Sequence, residues 1–320
     1  MNAVRSLVAI FALATACAAS AQDFPTKPVR ILVPYPPGGA SDVSARVIAD
    51  KLSKKWGGRA VFVENKPGAN GVVGTETVAR AEPDGHTMAL VASSHVTNHA
   101  LMKKVPYELN ELVPVTMTAQ VQLGLVVHPS LPVGNVRELI AYLKANPGKV
   151  AVGTSGRGSN PQLWALYFMR LTGTEMIDVA YKGSAAAHPD LLAGQTQVMF
   201  DAVASVLPHV KAGKLKLLAV GGEKRSPFLP ETPTMQEAGV PGYVLASWGA
   251  IIVPAKTPKA IVDQLNRDIV AVLNDPDTRE RFAALSAEVI GNTPGQAAAV
   301  MSAEETRLTK LIRDVGIPPE

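Results

Sequence analysis

Short apolar runs alternate along most of the chain with segments whose apolar residues recur every three or four positions. Val29–Val33 reads as a strand, Ser41–Trp56 as a helix, Ala60–Glu64 as a strand, Val72–Arg80 as a short helix and Thr87–Ala92 as a strand. The alternation resumes with a strand over Val150–Val152, a helix over Pro161–Thr172, a strand over Asp178–Tyr181 and a helix near Ala185–Ala193. It continues with a strand over Gln197–Phe200, a helix near Val203–Ala212 and a strand over Leu215–Val220. This pattern predicts two α/β units. Two long apolar stretches lie between the units, Val113–Val127 and Tyr243–Val253, and neither has a turn residue at its centre, so each can carry the chain from one unit to the other. Two crossings make the first domain discontinuous, residues 22–122 with 249–320, around a second domain over 123–248. Helices over Pro258–Leu273, Asp277–Leu285 and Pro294–Val315 are expected to pack back on the first domain. The stripe Trp164, Tyr167, Phe168 and Leu171 reads as the buried face of a helix.

The first residues change the picture of where the protein works. Arg5 precedes an apolar stretch over Leu7–Ala16, and Ala19-Ser20-Ala21 follows, which is the order of a secretory signal peptide spanning 1–21. The apolar stretch is shorter than the roughly 20 residues that span a bilayer. Cleavage after Ala21 removes Cys17, the one cysteine of the chain, so disulfide and cysteine-nucleophile chemistry leave with it. Ala14-Thr15-Ala16-Cys17 faintly resembles a lipoprotein lipobox without its usual leucine, and lipid anchoring at Cys17 is the alternative to a soluble mature form. A net charge of +4, one unit of it from Arg5, is spread along 320 residues without basic runs. That is mild attraction for anions and no nucleic-acid footprint.

In open α/β sheets ligands sit beyond the carboxyl ends of the strands, so the loops leaving those ends carry the candidate chemistry. The first runs from Tyr35 through Pro36, Pro37, Gly38, Gly39 and Ala40 to Ser41 and Asp42, ahead of a helix whose buried face is Ala45, Ile48, Ala49, Leu52 and Trp56. Glycines without side chains, with Ser41 or Asp42 as cap, leave amides at that helix start facing an anion. A tight turn with an ordinary cap is the plainer reading. The second loop, Gly153-Thr154-Ser155-Gly156-Arg157-Gly158-Ser159-Asn160, repeats the logic before a helix expected to open at Pro161. Hydroxyls of Thr154, Ser155 and Ser159 and amides at Gly156 and Gly158 make a second polar cradle, so one anion can be held from both sides.

Other chemistry is weaker. Neither loop has the spacing of a phosphate-binding motif, and the second misses the GxSxG elbow because position 157 is arginine, which leaves a Ser155 hydrolase as the enzyme-class rival. His95 and His99 have HxxxH spacing without the glutamate of HExxH, so no metal and no cofactor are expected. Asp201 ends the strand Gln197–Phe200 and is either a rim carboxylate for a ligand amine, hydroxyl or water, or a helix-capping aspartate. Tyr181, Lys182 and Gly183 end another strand, where Lys182 is either a ligand cation or a solvated surface charge.

Several segments resemble the solute-binding receptors of tripartite tricarboxylate transporters, the Bug family: "VPYPPGGASDVSAR", "VENKPGANGVVGTETVARAEPDGHTMAL", "GTSGRGSNPQL", "YKGSAAAHPDLLAGQTQVMFD", "LPETPTMQEAGVPGY" and "VPAKTPKAIVDQLN". The likeness covers the whole mature chain. It implies a two-domain periplasmic-binding-protein type II-like (Venus flytrap) α/β fold with a hinge of two crossover strands. It also implies a periplasmic monomer that encloses a small carboxylate, delivers it to membrane permease subunits and has no catalytic residues. A ligand sensor for a membrane signalling partner needs the same cleft and is the alternative. Carried over by position, the ligand loops fall on Tyr35–Asp42 and Thr154–Asn160, with Ser94, Tyr181, Lys182, Gly183 and Asp201 at strand ends. Two departures concern the ligand: Gln162 stands where histidine is common, and Ala185-Ala186-Ala187 where a proline is common.

Overall fold

The computed structural model describes residues 24–317 and 319; the segment 1–21 expected as a signal peptide, Cys17 included, lies outside the described residues. The strands are β1 (Val29–Val33), β2 (Val61–Asn65), β3 (Thr87–Ala92), β4 (Leu112–Val121), β5 (Leu123–Val127), β6 (Ala151–Thr154), β7 (Ile177–Ala180), β8 (Val198–Ala202), β9 (Lys216–Val220), β10 (Ser247–Pro254) and β11 (Ala287–Val289). The helices are α1 (Ala40–Lys55), α2 (Val72–Ala79), α3 (Ser94–Leu101), α4 (Val136–Ala145), α5 (Asn160–Thr172), α6 (Ser184–Leu192), α7 (Val203–Lys211), α8 (Lys259–Leu273), α9 (Pro276–Ala284) and α10 (Pro294–Val315). They build two sheets, ordered β11-β4-β10-β3-β1-β2 and β7-β6-β8-β5-β9.

Both sheets are covered on both faces, which is why their strands read as near-continuous apolar runs. In β1, Val29, Ile31 and Val33 face α1 and α8, where Ala45, Ile48, Leu52, Leu265 and Ile269 are buried; Leu32 points the other way, into the core shared with Val78, Val96 and Leu311. β3 alternates likewise, Met88 and Leu90 one way and Ala89 and Val91 the other. In the second sheet Val198 and Phe200 meet Trp164 and Phe168 of α5, while Met199 faces Leu191 and Val206. The end of α1 follows from glycine: Gly57 and Gly58 have φ of 65° and 84°, and their amides reach back to the carbonyls of Lys54 and Ser53 at 3.2 and 2.9 Å.

The chain changes sheet at Gln122, between β4 and β5, and again between Val220 and Ser247. The stretch expected as one strand from Tyr243 is extended only from Ser247. Tyr243 and Leu245 are buried in the core instead, and the Leu245 amide donates to the Gly221 carbonyl at 2.7 Å. α8 and α9 pack on the first sheet with α1, but α10 touches β4, α3 and also α5 of the second sheet, and Arg307 donates to the Val244 carbonyl at 2.9 Å. The α5 stripe is buried at Trp164 and Phe168, whereas Leu171 is 40% exposed. The sequence reading passed over α3, α4 and β11. α4 carried a signal, since Asn135 accepts from the Glu138 amide at 3.0 Å as its cap and Val136, Leu139 and Leu143 are buried on one face.

Candidate functional site

A cavity of about 230 Å³ opens where the two sheets meet, small for an organic-ligand site. Its wall is built where helices begin. Ala40 and Ser41 of α1, Ser94 of α3, Asn160 and Pro161 of α5, Ser184 of α6 and Ala202 ahead of α7 all line it. The first amides of a helix have no intrahelical acceptor, and the aligned peptide dipoles leave partial positive charge there. Gly39, Ser93, Gly183 and Ala202 cap α1, α3, α6 and α7 without a side-chain hydrogen bond.

The first loop corrects one expectation. Ser41 and Asp42 do not cap α1: they lie inside it, and Gly39 is the cap. The amides of Ala40, Ser41 and Asp42 thus precede the first helical bond, from the Val43 amide to the Gly39 carbonyl at 3.0 Å. Asp42 folds back to accept from the Gly38 amide at 2.9 Å and Arg46 Nε at 3.1 Å, which pins the Pro-Pro-Gly-Gly turn; Gly38 needs its φ of 83° for this. Burial opposes that carboxylate's charge, but the bonds from Arg46 and Gly38 prevail and hold its pKa below the usual carboxylate value. Tyr35 lines the cavity, and its hydroxyl accepts from the Ala92 amide at 2.9 Å and meets Ser94 Oγ at 2.8 Å. Burial raises its pKa, with the Ser94 and Ala92 bonds working against the shift. Tyr35→Phe strands the Ala92 amide and is expected to cost about 1–3 kcal/mol, measured as a drop in the urea unfolding midpoint at constant m-value.

The second loop is less open than its glycines imply. Helix α5 begins at Asn160 rather than Pro161, and Ser159 caps it by accepting from the Gln162 amide. The Gly158 amide donates to Gln162 Oε1 at 2.7 Å, so that donor is spent within the loop. Thr154 is fully buried and its hydroxyl donates to Asp178 at 2.8 Å. Ser155, Ser159 and Asn160 do line the cavity. Asn160 Nδ2 crosses to Ser93 Oγ at 2.8 Å, and Asn70 Nδ2 crosses the other way to the Gly158 carbonyl at 2.8 Å.

The remaining candidates divide. Asp201 is in the wall. Gly38, Gly39, Asp42, Thr154, Gly156, Gly158, Tyr181, Lys182 and Gly183 stand behind or beside it. Tyr181 donates to Asp190 at 2.6 Å, and desolvation with that carboxylate's influence pushes the phenol up to about 12. Lys182 is exposed, and the Gly183 amide donates to the Ser155 carbonyl at 3.2 Å, tying the two loops of the second sheet together. Sequence reasoning missed Asn70, Ser184, Ser247 and Trp248 in the wall and His188 behind Asp201. Ser184 was within reach, since it follows a glycine at a strand end as Ala40 does. Ser247 and Trp248 arrive from a distant strand, which no local pattern reports. His95 lies outside the wall, and burial, with His99 adding to it, lowers its pKa to about 4. Among the described residues no group of three or more potential metal ligands occurs, and no lysine or arginine lines the cavity.

Fold and cavity together define a two-sheet α/β solute-binding protein of the periplasmic-binding-protein kind. A structure titled as the periplasmic binding protein BugD superposes with a TM-score of 0.85 at 33% identity, covering 93% of this chain and all of that one. An R. palustris protein with adipate superposes at 0.88 with 34% identity, covering 93% of this chain and 100% of its own. In sequence, the chain is 37% identical to Protein BugT of Bordetella pertussis over 321 residues, 99% of this chain and 98% of the relative. The model of the tripartite tricarboxylate transporter family receptor matches residues 44–317, and the chain belongs to that family. It is a solute-binding receptor, as the motifs implied.

Proposed function

We propose that this receptor captures a small carboxylate in the cavity between the two sheets and presents the closed form to a tripartite permease in the membrane. The carrying observation is the convergence of the α1, α3 and α6 starts, all without side-chain caps, on a cavity with no cationic side chain among its described residues. Each such terminus is worth about 0.3–1 kcal/mol toward an anion, up to about 2 where partly buried. Leu90, Val121, Leu123 and Trp248 supply apolar wall for the hydrocarbon part of the ligand. The adipate-bound relative supports a carboxylate as the ligand class.

The protein divides into one lobe over 22–122 with 249–320 and a second over 123–248, hinged at the two changes of sheet. Cleavage after Ala21 would release the mature form to the periplasm as a monomer. The Asn160 and Asn70 bonds join the lobes across the mouth of the cavity. A ligand that touches both lobes only when they are shut binds that state better and shifts the population toward it. The site is read as binding its ligand without turnover.

The test is a calorimetric and thermal-shift screen of the mature protein against small carboxylic acids and their amides. An acid at 100 times its dissociation constant should stabilise by about 2.7 kcal/mol. Binding should also change tryptophan emission, because Trp248 is in the wall, and Trp248→Phe should remove most of that change. Equal stabilisation by the neutral amides would refute the proposal.

A further inference from the structure

The cavity is polar at both ends but not in the same sense. The α1 start lines the cavity from the first sheet's side and Asp201, on β8, from the second's, and among the described residues Asp201 is the only formally charged side chain in the wall. It is 3% exposed and held by fixed donors: Ser184 Oγ and the Ala202 amide on Oδ1, each at 2.8 Å, and His188 Nε2 on Oδ2 at 2.7 Å. A carboxylate accepts only, so the ring nitrogen of His188 carries the proton in that bond. Both oxygens are thereby oriented by α6 and by the start of α7. Two oxygens offer about four acceptor positions, and these three donors leave one on Oδ2.

We infer that Asp201, positioned by His188 and Ser184, selects carboxylates that carry a hydroxyl or ammonium donor over plain acids and over diacids of similar length. This rests on the carboxylate reading above and specifies the ligand at its other end. A donor on the ligand pairs with the open position on Oδ2. An unsubstituted acid leaves that acceptor desolvated and unpaired, and sites built around a hydrogen bond reject analogues lacking it more strongly than apolar pockets reject a missing methylene. A second carboxylate in the same place sets like charges together in a desolvated site. His188 acts through Asp201 and is a positioning residue.

The small cavity points to four-carbon probes. Isothermal titration of the mature protein with 2-, 3- and 4-hydroxybutyrate and the matching amino acids, against butyrate and succinate, tests the inference without any mutation. The best donor-bearing acid should bind at least tenfold more tightly than butyrate and than succinate. Asp201→Asn, which exchanges an acceptor for a donor, should shrink the advantage over butyrate to below threefold and reverse that over succinate. His188→Gln should lower the same ratio by a smaller factor, a readout that mere loss of packing would not move. Butyrate or succinate binding as tightly as every donor-bearing acid overturns the inference and leaves the carboxylate receptor standing. An unchanged ratio in folded Asp201→Asn overturns it as well. Failure of every acid in the panel overturns the inference, and the wider screen of acids against amides then decides the carboxylate reading by itself.

Discussion

Ser41→Asp is expected to abolish acid binding while leaving the protein as stable as before or slightly more so. The two effects have one cause. Ser41 lies in the first turn of α1 and in the cavity wall, beside amides without helical acceptors, where the ligand is proposed to sit. A carboxylate placed there interacts well with the helix start, by about 0.3–1 kcal/mol, and occupies the region an incoming anion needs. Like-charge repulsion in a desolvated cavity then works against every carboxylate ligand. The expected loss is at least 100-fold in affinity, about 2.7 kcal/mol, by calorimetry, with an unchanged or raised thermal midpoint. Ser41→Asn, of similar size and without charge, should lose far less. Retained affinity in Ser41→Asp would place the anion elsewhere.

The second large effect is on stability and comes from outside the cavity. His95 is 2% exposed on α3, its ring stacked on Tyr107 at 6.1 Å, and its Nδ1 lacks a hydrogen-bond partner among the described residues. Burial foremost, and then the neighbouring His99, lower its pKa from 6.5 to about 4. The unfolded chain therefore takes up a proton on this ring between pH 6.5 and 4 while the folded chain does not, and stability falls as the pH is lowered through that window. The full difference is roughly 3 kcal/mol, present above pH 6.5 and lost by about pH 4. His95→Phe keeps an aromatic ring beside Tyr107 and removes the titration. Urea unfolding at pH 7 and pH 4.5 should show a clearly smaller loss in the variant than in the parent protein. Equal losses would mean that the ring titrates alike in the folded and unfolded chains.

The candidate site was legible where chemistry is local. A glycine-rich turn between a buried strand and an amphipathic helix has few physical readings, and of the residues expected there Tyr35, Ala40 and Ser41 line the cavity, as do Ser155, Ser159 and Asn160. What the pattern could not show is how each donor is used. Gly158 carries an amide as free in sequence as that of Ala40, yet Gln162 takes it, and Asp42 secures its own loop rather than capping the helix. Tyr181 and Lys182 end a strand as Asp201 does, but Tyr181 turns to Asp190 and Lys182 to solvent, while Asp201 enters the wall.

The chain's own residues determined the two α/β units, the helices whose starts bear the donors and the family that the motifs carry, because each depends on neighbours within a few turns of backbone. Tertiary structure alone decided that Ser247 and Trp248, more than 40 residues beyond the last strand-end candidate, complete the cavity, and that His188 stands behind Asp201. Those placements arise from how strands of one sheet are ordered and how the two sheets meet. Contacts of that kind leave no period, cap or turn in the sequence to read.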